Sequence, residues 1–131
     1  ALSEAVFANA NRFVRAAMAL EAVLQPGCVV PERERLDAFA ARVEASLAAI
    51  AGHLREQGPV PAEHLRSAER QLAAALDEVS GDETTRYTAV AIGEACDRIT
   101  DSIDTLAHLF GARRGDALDG PASAPPAAVE V

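Results

Sequence analysis

Lysine and tryptophan are absent from this chain, methionine occurs once, and aromatic residues make up only 4% of its 131 positions. So few aromatics argue against a β-sandwich, whose packed faces rely on aromatic and β-branched side chains. Glycine is scarce too, at eight residues. Half the chain is hydrophobic, and much of that half is alanine, the strongest helix former. Close-packed helices are the expectation, in one domain long enough to bury a core.

Other shortages exclude whole classes of function. Two cysteines, Cys28 in a loop and Cys96 on an expected helix, cannot build a disulfide framework and fit a reducing compartment. There is no signal peptide and no run of about 18 apolar residues, so direct insertion into a membrane is not expected. All twelve basic residues are arginine, set against twenty acidic ones, for a net charge of −8 and a pI near 4.8. With no basic patch to neutralise phosphates, nucleic acid is excluded as a partner and anionic lipid surface is disfavoured. The chain starts at Ala1 without a methionine, which fits a domain excised from a longer protein.

What is present is helical periodicity. Leu2, Val6, Ala10, Phe13, Ala17, Leu20 and Leu24 recur at spacings of three and four, so a first helix is expected over about residues 2–25, stopped by Gln25-Pro26-Gly27. A second should run from Pro31, suited to a first helical turn, to Gln57 on Leu36, Phe39, Val43, Leu47, Ile50 and Leu54. A third, over about 61–80, uses Leu65, Ala68, Leu72, Leu76 and Val79, with Gly81 as its C-terminal cap. Asp82 is the expected N-cap of the fourth, over about 82–111, whose stripe is Ile92, Cys96, Ile99, Ile103, Leu106 and Phe110, closed by Gly111. The short loops fit an all-α, antiparallel up-down-up-down four-helix bundle over residues 1–111, with a disordered Pro/Ala-rich tail over 112–131.

The stretch Asp97–Phe110, "DRITDSIDTLAHLF", puts Asp97, Asp101, Asp104 and His108 at helical spacings of four, three and four. At about 100° per residue they fall opposite Ile99, away from the bundle's own core. A di-metal bundle needs inward Glu residues and Glu-x-x-His motifs on facing helices, and neither occurs. A single Asp104/His108 pair supplies two of the roughly four ligands of a closed zinc site. A solvated or partner-facing acidic stripe, with no metal and no cofactor, is the expectation. Arg12 falls level with Asp101 across the first and fourth helices, and Asp101, Asp97 and solvent are its alternative partners; an exposed pair of this kind would orient the helices only slightly.

No nucleophile falls at a spacing that proposes a base beside it, so no catalytic residue is assigned. His53 and His64 read as surface histidines. Phosphotransfer bundles expose a histidine in a pattern resembling His-x-x-Lys-Gly, but His108 begins "HLFG", with no lysine and with Gly111 one position early. The first helix is more informative. Beside its main stripe, Phe7, Val14 and Met18 form a second apolar edge, candidate contacts for another subunit or domain.

Two segments, "FANANRFVRAAMALEAVL" (Phe7–Leu24) and "ACDRITDSIDTLAHLF" (Ala95–Phe110), resemble the soluble C-terminal region of FUSC-type membrane proteins, the fusaric-acid-resistance and aromatic-carboxylate exporter family. In that family an alanine- and arginine-rich helical segment follows the last transmembrane block, and its closing part reads like DRI-DSI-TLAHLL. The resemblance implies a non-catalytic domain on the cytoplasmic side of the bacterial inner membrane. It would support assembly or gating of an exporter of small organic acids, with the rest of the transporter chain, another subunit or a second copy as partner. A free-standing bundle for protein–protein interaction or signalling is the alternative.

Overall fold

The computed structural model describes residues 1–56 and 65–119. Four helices account for nearly all of them: α1 (Leu2–Val23), α2 (Arg33–Glu56), α3 (Leu65–Asp77) and α4 (Glu83–Asp119). The expected all-α four-helix bundle is the observed architecture, and there is no strand among the described residues.

Local chemistry explains most of the boundaries. After α1, the Cys28 amide donates to the Gln25 carbonyl at 3.1 Å, with Pro26 and Gly27 at the two central positions of the turn. Gly27 has φ +91°, the left-handed value that a type II turn demands there and that glycine adopts without penalty. Glu32 also lies at positive φ, +57°, which keeps Pro31 out of the helix and starts α2 at Arg33. Asp82 caps α4 as expected, its Oδ1 accepting from the Thr85 amide at 2.8 Å.

Two expected stops are overturned. Gly81 does not cap α3, which ends at Asp77. Its φ of +137° serves the bend that delivers the chain to Asp82. Gly111 does not close α4, which runs on to Asp119, since one glycine costs a helix only about 1 kcal/mol and no proline follows at once. Residues 112–119 are therefore helical rather than part of a tail. The rest of the expected tail, 120–131, and the start of the expected third helix, 61–64, lie outside the described residues.

The core is continuous and built on α4. Ala89, Ile92, Ala95, Cys96, Ile99, Ile103 and Leu106 are buried there, with Leu36, Phe39 and Ile50 of α2, Leu65, Leu72 and Leu76 of α3, and Ala16 of α1. Leu54, expected in the α2 stripe, is 55% exposed. Helix α4 comes within 8 Å, Cα to Cα, of all three other helices. Its pairing with α1 is antiparallel: Phe13 and Ile99 line one groove, while Leu2, Val6 and Phe110 line another at the end of the pair. One seam departs from a closed bundle. No Cα of α1 comes within 8 Å of α2.

Buried hydroxyls are handled unevenly. Thr100 Oγ1 donates to the Cys96 carbonyl and Ser102 Oγ to the Arg98 carbonyl, each at 2.9 Å, so both satisfy themselves on the preceding turn. Ser46 Oγ, buried on α2, has no hydrogen-bond partner among the described residues. An unmet hydroxyl carries its desolvation cost without compensation. Ser46→Ala should therefore raise stability by about 1 kcal/mol, read as a higher urea midpoint at unchanged slope. Ile103→Ala should do the opposite, costing about 2–5 kcal/mol through lost transfer energy and a residual cavity. Exposed Val90→Ala should stay within about 0.5 kcal/mol. If Val90→Ala cost more than Ile103→Ala, the buried face of α4 would be wrongly assigned.

Candidate functional site

The acidic column of α4 does not simply face water. Asp97, Asp101 and Asp104 sit along one edge of α4, each about half exposed, and Arg66 from the first turn of α3 reaches across to them. Its Nη1 donates to Asp97 Oδ1 at 2.8 Å and its Nη2 to Asp101 Oδ1, while Nε stands 3.7 Å from Asp104 Oδ2. The same Nη1 lies 3.0 Å from Oε1 of Glu69, one turn along α3. Among the described residues, the hydrogen bonds and ion pairs joining α3 to α4 all run through Arg66. The aspartates are exposed and off the core as expected, but Arg66 is a partner that the solvated-stripe expectation did not include, and the Arg12–Asp101 pairing is not formed. Arg12 instead donates to Asn9 Oδ1 at 3.4 Å on its own helix.

Burial explains why an arginine belongs there. Glu69 is only 6% exposed, and a carboxylate so placed needs a charged partner. Burial by itself lowers the Arg66 pKa, but the hydrogen bonds to Asp97, Glu69 and Asp101 outweigh it and raise the net value, so the guanidinium is always charged. Asp104 goes the other way from its neighbours' needs. Burial raises its carboxyl above the ordinary range, with Arg66 pulling back and Asp101 adding to the rise. Across the interface, Cys96 is pushed up to about 12, first by burial and then by the charge of Glu69, so it is a protonated core thiol at neutral pH. Among the described residues, no three His, Cys, Asp or Glu side chains are placed to share a metal ion. The point where the aspartates converge is taken by the guanidinium.

The second feature is the apolar edge of α1. Phe7, Val14 and Met18 are 69%, 50% and 62% exposed, so this edge lies outside the core. Val14 and Met18 form one wall of a groove of about 570 Å³ along the open α1–α2 seam. Phe13, Leu20, Phe39, Val43 and Leu47 are among its lining residues, and Ile99 of α4 lies at its base. Phe7 belongs to a separate depression with Leu2, Val6 and Phe110. His108 is exposed on α4, and His53 on α2 is half-buried; His64 lies outside the described residues.

No helix among the described residues is long and apolar enough to cross a membrane. No protein-family profile matches this chain, and no curated protein or solved structure is found to match it.

The Arg66 arrangement has a measurable consequence. Arg66→Met keeps the aliphatic stem but strands Glu69, and should cost about 1–3 kcal/mol. Adding Glu69→Gln should restore most of that loss, because the buried charge is then gone. Asp104→Asn should stay within about 0.5 kcal/mol at neutral pH. Its raised folded pKa means that the native state takes up the proton more readily than the unfolded chain. The cost of its charge is present at neutral pH and lifts as pH falls through that raised value. Denaturant titrations of the four proteins between pH 4 and 7 test this. A loss with Asp104→Asn as large as with Arg66→Met would overturn the assignment.

Proposed function

We propose that this chain is a non-catalytic interaction domain, and that it serves as the cytoplasmic accessory domain of a FUSC-type inner-membrane exporter of small organic acids, aiding assembly or gating of the membrane part. The observation that carries the reading is the exposed apolar edge Phe7, Val14 and Met18, within a segment that resembles that family. A helix that packs one face on α4 and leaves the adjoining edge apolar and uncovered is suited to meet another surface. The rest of the transporter chain, another subunit and a second copy are the candidates.

The chemistry of the described side chains supports a non-catalytic role. The buried thiol of Cys96 is held protonated, and the acidic column is bound by an arginine rather than offered to a substrate. No cofactor enters the reading. A free-standing interaction or signalling bundle would use the same apolar edge, and the gene separates the two. An open reading frame that also encodes two blocks of apolar segments, each segment about 20 residues long, is the expected finding. A frame containing the bundle with no such segment would sink the exporter assignment and leave the free-standing bundle.

A further inference from the structure

The α1–α2 seam is where this bundle is incomplete. Its groove follows about three turns of α1, from Phe13 to Leu24. The floor is apolar, and two charged residues line it: Glu21 on the α1 wall and Glu44 on the α2 wall. Both are exposed, and neither carboxylate has an ion pair or hydrogen bond among the described residues. Arg12 and Arg15, the bases of α1, project to the opposite side of that helix at about 100° per residue. Arg33 of α2 is engaged with Asp37 at 3.6 Å. The groove is thus an apolar trough between two acidic walls.

We infer that this groove is a docking site for one amphipathic helix that carries basic side chains on both flanks of its apolar stripe. Apolar residues at positions i, i+3, i+4 and i+7 would fill the trough between Val14, Met18, Val43 and Leu47, the usual helix-in-groove arrangement. Flanking arginines or lysines would meet Glu21 on one side and Glu44 on the other. Met18, unbranched and polarizable, adapts the wall to different apolar side chains. A second copy of this chain is a poor occupant. Two such grooves placed face to face would set acidic wall against acidic wall, on molecules that each carry a net charge of −8.

The test uses the whole chain and two labelled synthetic helices of about 15 residues, long enough to span the three turns. Both carry the same leucine stripe; one has arginine on its flanks and the other glutamate. Fluorescence anisotropy should show saturable binding of the arginine helix and binding at least about tenfold weaker for the glutamate helix. Met18→Glu, at an exposed position, should weaken binding of the arginine helix at least about tenfold, by setting a carboxylate against its leucine stripe, while leaving the circular dichroism unchanged. The pair Glu21→Arg with Glu44→Arg should reverse the preference, which separates the groove from the acidic column of α4. Equal binding of the two helices, or binding untouched by either variant, would overturn the inference. So would sedimentation as a dimer that Met18→Glu dissociates, since a second copy would then cover the groove. None of these outcomes bears on the exporter assignment, which the gene decides.

Discussion

Everything in this bundle hangs on how much of α4 must be covered. Setting Ile99 at the centre, the buried positions from Ser102 on one flank to Thr100 on the other span about 160° at about 100° per residue. An ordinary surface helix buries a narrower stripe, and one neighbour could not cover this one. Helix α1 takes one flank, bringing Phe13 beside Ile99 and burying the small side chain of Ala16. Helix α3 takes the other, with Leu76 Cδ1 standing 3.7 Å from where a Cβ on Gly93 would lie. Helix α2 then crosses the remaining face with Leu36, Phe39 and Ile50. The hydroxyls of Thr100 and Ser102 tolerate full burial only because each bonds back to its own helix.

Covering α4 from both flanks has a cost at the opposite seam. Helices α1 and α2 are held apart by what each does for α4, and side chains alone fill part of the gap. The trough and its acidic walls are therefore a by-product of the core's geometry rather than a separately built pocket. That origin accounts for its composition: the floor is the outer margin of the core, and the rim is where each helix turns polar.

Periodicity carried most of the fold, because burial on these helices recurs at the spacing that a helix imposes. The stripe of α4 from Ile92 to Leu106 and the antiparallel run of the first and fourth helices were both legible. So were the Pro26-Gly27 turn and the Asp82 cap, each being local chemistry within four residues. Arg66 was not legible as the partner of the acidic column. It stands 31 residues from Asp97 and 35 from Asp101 in sequence, and pairing at that range depends on the rotation of one helix about another. The nearest signal was Glu69, a charge on the same edge as buried Leu65 and Leu72 that needed a partner at i−3. The projection of α4 correctly put the aspartates off the core, yet an edge outside the core still faces a neighbouring helix when that neighbour carries a long arginine. The stop at Gly111 failed for a different reason: a helix ends where its hydrogen bonds have better alternatives, and one glycine does not supply them.

A single guanidinium cannot neutralise four carboxylates, so the Arg66 cluster is better understood as a register device than as a source of stability. Three of the four acids are about half exposed, and water screens most of what their mutual repulsion would cost. What solvent cannot replace is the pairing of buried Glu69. The apolar face of α3 is a simple leucine ladder, Leu65, Leu72 and Leu76, whose like side chains do little by themselves to distinguish one register from the next. A slip of α3 by one turn, about 5.4 Å, would carry Arg66 away from the middle of the Asp97–Asp101–Asp104 column. It would also move Glu69 to a new place on the interface without the carboxylates that now share its partner. At about 1.5 Å per residue the column is about 10 Å long, so small movements keep Arg66 among all three aspartates, whereas a full turn carries it to one end, level with a single aspartate. Polar groups at the margin of an apolar interface can select among packings that the leucines alone would leave close in energy, and Arg66, in reach of three aspartates at once, favours the observed register over one in which it reaches fewer.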